Sequence, residues 1–239
     1  MNSPKILIVT TSHGKMGALD RRTGLWLEIL ATPYYIFKDA GALVTIASLN
    51  GGAIPLDPKS ESLIIATSNT RRFQKDAEAI DCLEHSLPLD SLSAADFDGV
   101  LLAGGHGAIW DFPSHHPLKD LLEDFYRQGK LIGALSHGVS ALVSLQIADG
   151  SSFVKGRLLT AFSNTEEESS GLTTTVPFLL ESKLVGLGAS YSKAAIYTSH
   201  IVTDGLVITG QNPASSAELA QKMLLTFKLA PEKPAYAAV

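Results

Sequence analysis

The chain has few of the residues that build several common kinds of site. Cys82 is its only cysteine, which excludes an intrachain disulfide and a cysteine-based zinc cluster. It has no long basic run and carries a net charge of −5, so it offers little counter-charge to a nucleic-acid backbone or an anionic membrane. Its first apolar run, residues 6–9, is too short for a signal-peptide core or a membrane span. We therefore expect a soluble, unexported, cytoplasmic protein without nucleic-acid or membrane partners.

The sequence does contain enough apolar residues for a sizeable core. Hydrophobic residues make up 45% of its 239 residues, and this length is common for one α/β domain. No internal repeat or linker divides the chain. We predict a single domain over residues 1–239, with a loose tail from about residue 228.

Strand-like and helix-like segments alternate along the chain. The first predicted strands are residues 5–11, 43–48, 98–103 and 130–135, and the first predicted helices are residues 24–39, 117–128 and 138–146. The rest adds strands at 157–161, about 196–202 and 206–209, and a helix at about 178–187. A last helix begins at Pro213, with Asn212 as its predicted N-cap. This alternation predicts an α/β fold, a mostly parallel sheet with helices on both faces.

The most informative segment lies where the fourth predicted strand meets the next helix. An apolar run stops at Ser136, and the small residues Ala134 and Gly138 lie two positions to either side. This A-x-S-x-G pattern is typical of a nucleophile elbow, which exposes a reactive side chain beside the free N–H groups of a helix start. A serine that only caps a helix is the alternative interpretation.

A glycine-rich loop, residues 104–107, follows the third predicted strand. Its Gly-Gly step allows backbone N–H groups to approach a ligand, as an oxyanion hole requires, although a plain tight turn would look similar. Since strand ends of a parallel sheet share one edge, we expect this loop to lie opposite the elbow.

Glu28 is the only charge in the apolar segment of residues 24–30. Burial raises the pKa of a carboxyl, which would make Glu28 a candidate acid or base, unless it is simply solvated or hydrogen-bonded. We expect its carboxyl to lie within hydrogen-bonding reach of Ser136, directly or through one water.

Other candidate sites have weaker support. His115 and His116 lie near Asp111, but no H-E-x-x-H or paired-cysteine spacing accompanies them, so a surface loop is the better interpretation. We expect neither a metal nor an organic cofactor. Arg21 and Arg22 either gate an anionic substrate or are simply exposed, and the sequence leaves both possibilities open.

Segments with recognisable motifs extend from about residue 5 to about residue 225. They are the elbow and residues 23–28, 31–35, 104–112, 154–157, 162–167 and 210–216. Together they resemble the Hsp31-like, glyoxalase III-like branch of the DJ-1/PfpI superfamily. The resemblance implies a flavodoxin-like sandwich, commonly a homodimer, that acts without a cofactor. It further implies a glutathione-independent glyoxalase, which converts methylglyoxal to lactate, or a stress protein with chaperone activity.

The resemblance also assigns roles to individual residues. The catalytic side chains it implies are Ser136, His137, Glu28 and Glu168. The implied oxyanion and substrate contacts come from Gly104, Gly105, His106 and the backbone of His137. We therefore expect the N–H groups of Gly105 and His137 to point into a common pocket above Ser136. Glu168 is our choice, over Glu166 and Glu167, for the acid that orients the histidine.

The sequence departs from the family pattern at the nucleophile, where Ser136 replaces the family's cysteine. A thiol at a helix N-terminus can reach a pKa of roughly 3.5–7.5, whereas a hydroxyl cannot ionise so readily. Ser136 would therefore need His137 or Glu28 as a general base. Three interpretations stay open: a laboratory replacement that traps a substrate, a natural serine hydrolase or hydratase, and an inactive site in a binding protein or chaperone. We expect little or no glyoxalase activity from the serine form.

Overall fold

The computed structural model describes residues 3–229, which are built around a seven-stranded sheet. The strands are β1 (Lys5–Thr10), β2 (Leu43–Ser48), β3 (Leu87–Pro88), β4 (Gly99–Leu102), β5 (Leu131–Leu135), β6 (Leu158–Leu159), β7 (Ser190–Tyr191), β8 (Ile201–Asp204) and β9 (Val207–Gly210). The order across the large sheet is β3-β2-β1-β4-β5-β9-β8, and β6 pairs with β7 separately. Only β8, at one edge, runs antiparallel to its neighbour. The predicted mostly parallel sheet is confirmed.

Helices cover both faces of this sheet. They are α1 (Leu27–Asp39), α2 (Ser68–Phe73), α3 (Ala77–Glu84), α4 (Ala108–Asp111), α5 (His116–Arg127), α6 (Asn164–Ser169), α7 (Leu180–Gly186) and α8 (Ser216–Leu229). Because successive side chains of a strand point to opposite faces, β1 contributes to two cores. Leu7 and Val9 pack in the core that contains residues of α4, α5 and α7, whereas Ile6 and Ile8 pack with α1 and α8.

The predicted first four strands agree with the structure to within about one residue at each end. The first helix begins three residues later than predicted, because Gly24 has φ +153° and a Cβ there would lie 2.0 Å from the Pro55 carbonyl oxygen. The segment after the elbow is a 3₁₀ helix, Ser136–Ser144, instead of an α-helix. The sheet therefore follows the sequence pattern closely, while the helix boundaries depend on close backbone contacts.

Several predictions for the second half were wrong in detail. The strand predicted over residues 157–161 is reduced to the two residues of β6. The strand predicted from residue 196 begins only at Ile201, since Tyr197 lies in a turn with φ +58°. Asn212 stands at the N-cap position of the 3₁₀ turn Pro213–Ser215 that precedes α8, but its side chain makes no capping hydrogen bond there. Its amide nitrogen donates instead to Glu166 and to the Thr198 carbonyl.

The predicted C-terminal tail lies outside the described residues, apart from the last two residues of α8. Within residues 3–229, no helix combines the length and apolar character needed to cross a bilayer. The ends of β1, β4 and β5 lie side by side at one edge of the sheet, so the loops that follow them meet there.

Candidate active site

The corner after β5 has the backbone geometry of an elbow. Ser136 has φ +56°, in the left-handed region that residues other than glycine rarely adopt, and the 3₁₀ helix begins at this residue. Backbone segments approach each other closely around it. A Cβ on Gly104 would lie 2.3 Å from the Leu135 carbonyl oxygen, and one on Gly138 would lie 2.3 Å from that of Leu102. Only glycine fits at these two positions, so the glycine-rich loop after β4 packs directly against the elbow.

Ser136 and His137 line a cavity of about 550 Å³, together with Gly105 and His106 of the glycine-rich loop. The backbone N–H groups of Gly105 and His137 donate to no acceptor among residues 3–229. Since both residues line one cavity, their N–H groups are candidates to stabilise a developing oxyanion. Their role as oxyanion donors stays a prediction.

A carboxylate behind the elbow links two histidines. Oε2 of Glu167 lies 2.8 Å from Nε2 of His137, and Oε1 lies 2.8 Å from Nε2 of His106. All three side chains are buried, and the two imidazole rings lie 4.3 Å apart. With Glu167 ionised, both Nε2 atoms donate, and a neutral His137 ring then has an unprotonated Nδ1. His137 is thus held in the tautomer whose Nδ1 can accept a proton.

The electrostatics support this protonation state. Burial lowers the pKa of His137 below its ordinary value, and neighbouring His106 lowers it further, against the opposing effect of Glu167. Burial alone would raise the pKa of the Glu167 carboxyl, but His137 and the hydrogen bonds from both imidazoles hold it well below its ordinary range. These two shifts favour an ionised Glu167 beside a neutral His137.

The prediction that Glu168 orients His137 is wrong. Glu168 is exposed and makes no hydrogen bond to His137, whereas the preceding residue, Glu167, does. Each step along a helix rotates a side chain by about 100°, so consecutive glutamates of α6 point in different directions. Ser163 caps this helix in a capping box with Glu166, which sets the rotation that brings Glu167 to the histidines.

Glu166, which the sequence offers only as an alternative partner of the histidine, has a structural role that the sequence interpretation missed. Its buried carboxylate accepts hydrogen bonds from the backbone and hydroxyl of Ser163, the backbone N–H of Tyr197 and the side-chain amides of Gln211 and Asn212. These contacts fix α6 against the loop after β9 and hold Tyr197 at the cavity wall. The capping-box spacing from Ser163 to Glu166 was the signal that could have identified it.

Glu28 is half-buried on the first helix. Its two carboxylate oxygens accept hydrogen bonds of 2.6 Å from the hydroxyls of Thr32 and Thr67. Burial raises the pKa of Glu28, and these two hydrogen bonds partly offset the increase. Glu28 and Ser136 make no direct hydrogen bond, although both belong to the described part of the chain. The direct form of the predicted contact is therefore wrong, and the contact through a water stays a prediction.

The cluster of His106, His137 and Glu167 also has the composition of a metal site, with one potential ligand atom from each residue within 4.8 Å of the others. Each carboxylate oxygen already accepts an imidazole N–H, so hydrogen bonding accounts for the arrangement without an ion. His115 belongs to no such cluster among the described residues; its Nδ1 accepts from the Leu118 N–H and caps α5.

The fold and the site together define a class of protein. A flavodoxin-like sheet with a strained serine after β5, and a histidine–carboxylate pair beside it, is a nucleophile-elbow α/β protein. Comparison with known proteins narrows this class. The chain belongs to the DJ-1/PfpI family, whose model matches residues 28–226.

Similar proteins fall within the predicted branch of the family. The chain is 26% identical over 230 residues to the glutathione-independent glyoxalase hsp3101 of Schizosaccharomyces pombe, covering 91% of this chain and 93% of the relative. It is 25% identical over 238 residues to glyoxalase 3 of Candida albicans, covering 94% and 98% respectively.

Solved structures share the fold of this chain. The Rapid Encystment Protein 24 KDa of Francisella tularensis matches with a TM-score of 0.89 and 37% identity, over 93% of this chain and 98% of that protein. The crystal structure of glyoxalase III from Candida albicans matches with a TM-score of 0.86 and 23% identity, over 95% and 98%. The expected resemblance to Hsp31-like glyoxalases is confirmed.

Proposed function

We propose that the chain is a glyoxalase III-type enzyme for small reactive carbonyl compounds, whose activity is weak as long as position 136 is serine. The observation that carries the proposal is the position of Ser136: a strained elbow residue beside His137 with its Glu167, on one cavity with the free N–H groups of Gly105 and His137. The glyoxalase names of the relatives support the reaction class.

The proposed reaction begins with addition of the residue-136 side chain to the aldehyde carbon of a 2-oxoaldehyde. A base takes the proton of the nucleophile, and the N–H groups of Gly105 and His137 stabilise the oxyanion. Glu28 then moves a proton between the two adjacent carbons, and the enediol collapses to an ester, or a thioester with cysteine. Water hydrolyses this intermediate to the 2-hydroxy acid and regenerates the side chain.

The serine form is expected to be slow because no base contacts its hydroxyl. Among the described residues, the Ser136 hydroxyl donates to neither His137 nor Glu28. A thiol at the same corner would ionise more readily, since it lies at a helix start with free N–H groups.

The test is lactate formation from methylglyoxal by the protein as it stands and by Ser136→Cys. We expect the cysteine variant to raise the rate by at least about 100-fold, because the nucleophile is then pre-ionised, and Glu28→Gln in that variant to remove the gain. Ser169→Cys is the matched control, since it places a thiol on the same cavity away from the elbow. An intact Ser136→Cys protein without turnover would contradict the proposal.

A serine hydrolase or hydratase is the second candidate, and it is favoured by the histidine–carboxylate pair next to a serine. Robust turnover by the Ser136 form, on methylglyoxal or on a small ester, would favour this candidate over the first.

A holdase is the third candidate. The loop residues Leu63 and Ile64 are 76% and 94% exposed, which is the kind of apolar surface that binds unfolded chains. Suppression of aggregation that survives Ser136→Ala and His137→Ala, but not replacement of both loop residues by serine, would favour it. A homodimer, also expected from the resemblance, is tested by light scattering of the purified protein.

A further inference from the structure

The cavity above Ser136 is larger than the smallest proposed substrate requires. A volume of about 550 Å³ falls within the roughly 300–1,000 Å³ typical of pockets for drug-sized ligands. A three-carbon 2-oxoaldehyde would fill only a small part of it. Apolar side chains line much of the remaining space: Trp26, Ile65, Phe162 and Leu172. The cavity can therefore accept a ligand with an apolar body beyond its reacting carbonyl.

Two cationic side chains line the same cavity. Arg21 comes from the loop after β1, and Lys59 comes from the 3₁₀ turn Pro58–Glu61. Within residues 3–229, neither side chain makes an ion pair or a side-chain hydrogen bond. Both charged groups are available to a ligand.

The cavity offers little negative charge to neutralise these cations. Asp57 is the one carboxylate among the described residues that line it, and this side chain is buried. Its oxygens already accept hydrogen bonds from the Thr23 hydroxyl and from the backbone N–H of Lys59. The carboxylates of Glu28 and Glu167 likewise accept hydrogen bonds, from threonine hydroxyls and from imidazoles respectively. The charged groups of the wall that lack a partner among the described residues are thus the two cations.

We propose that the ligand of this cavity is a carbonyl compound with an apolar body and a terminal carboxylate, which Arg21 and Lys59 bind. A guanidinium recognises a carboxylate through two parallel hydrogen bonds, and an ammonium adds a point charge. The position of the carbonyl at Ser136 rests on the proposed function, whereas the carboxylate subsite does not. Arg21 and Lys59 thus bind the part of the ligand that does not react with residue 136.

The experiment is an NMR titration of the isotope-labelled Ser136 protein with hexanoate and with its neutral amide, hexanamide. Neither probe requires turnover, so failure of the glyoxalase assay leaves the titration interpretable. We expect saturable binding of hexanoate that weakens about tenfold in the Arg21→Ala/Lys59→Ala double variant, in keeping with loss of a charge-assisted hydrogen bond. Hexanamide binding should be the same in both proteins.

The matched control is Arg22→Ala/Lys15→Ala, which removes two exposed cations from the same loop that do not line the cavity. Hexanoate should bind this variant as it binds the unmodified protein. Absence of saturable hexanoate binding overturns the proposal, as does equal weakening in the control, which would indicate long-range attraction. Unchanged affinity in the Arg21/Lys59 double variant also overturns it, because the carboxylate would then bind at the N–H groups of the elbow.

Discussion

The two carboxylates proposed to act with Ser136 lie in different surroundings. Glu167 is buried, and both of its oxygens accept hydrogen bonds from imidazoles that are themselves buried. Glu28, in contrast, is half-buried, and its oxygens accept hydrogen bonds from two threonine hydroxyls. The first carboxylate has its pKa lowered and the second has its pKa raised.

This difference bears on the tasks proposed for the two acids. A carboxylate that stays ionised can orient His137 but is a poor proton carrier near neutral pH. A carboxyl with a raised pKa exchanges a proton more easily, which supports the proposal that Glu28 is the proton shuttle. Environments that separate the pKa values of two acids in this way are typical of acid–base sites.

The largest expected effect is that of Glu167→Ala. The substitution leaves two buried imidazole N–H groups without an acceptor, and each unsatisfied donor costs about 1–3 kcal/mol. We expect the free energy of unfolding, measured with urea, to fall by about 3 kcal/mol. Glu168→Ala, the exposed neighbour, should change it by less than about 0.5 kcal/mol. Equal effects of the two substitutions would mean that the hydrogen bonds from the two imidazoles to Glu167 do not stabilise the fold.

A smaller effect is expected from acid. Because the pKa of His137 is lowered in the folded protein, below a pH of about 6.5 the unfolded chain binds a proton that the folded chain does not. Stability should therefore fall as the pH drops from 7.5 to 5.5, by about 1 kcal/mol from this residue. The lowered pKa of Glu167 adds a further loss only below its ordinary value of 4.5.

The measurement is urea unfolding at both pH values for the unmodified protein and for His137→Gln. The variant should lose less stability on acidification than the unmodified protein does. An unchanged pH dependence would show that His137 takes up its proton without unfolding.

The smallest expected effect is that of removing a hydrogen bond to Glu28. Thr32→Val keeps the shape of the side chain but removes one of the two hydroxyls that donate to Glu28. We expect a loss of about 0.5 kcal/mol in unfolding free energy and a further rise in the pKa of Glu28, followed by carboxyl NMR. Thr174→Val, at an exposed position, is the control. A lowered pKa in Thr32→Val would contradict the role given to this hydroxyl.

The sheet and the elbow could be predicted because they depend on local pattern. Apolar runs that end in glycine or serine located β1, β2, β4 and β5, and the small residues around Ser136 marked the sharp turn. The partners of the site residues could not be predicted in the same way. Which of three consecutive glutamates faces His137 depends on where α6 begins, and Thr67 reaches Glu28 from 39 residues further along the chain. Such contacts are set by tertiary packing, which spacing does not encode.

The backbone of Ser136 has a consequence for how this protein can evolve. A residue with a side chain at φ +56° is about 1–2 kcal/mol less stable there than glycine would be. Under selection for heat resistance alone, glycine would be the favoured replacement at this corner, and the nucleophile would disappear with the strain. Resistance to heat and the capacity for catalysis thus favour opposite residues at position 136.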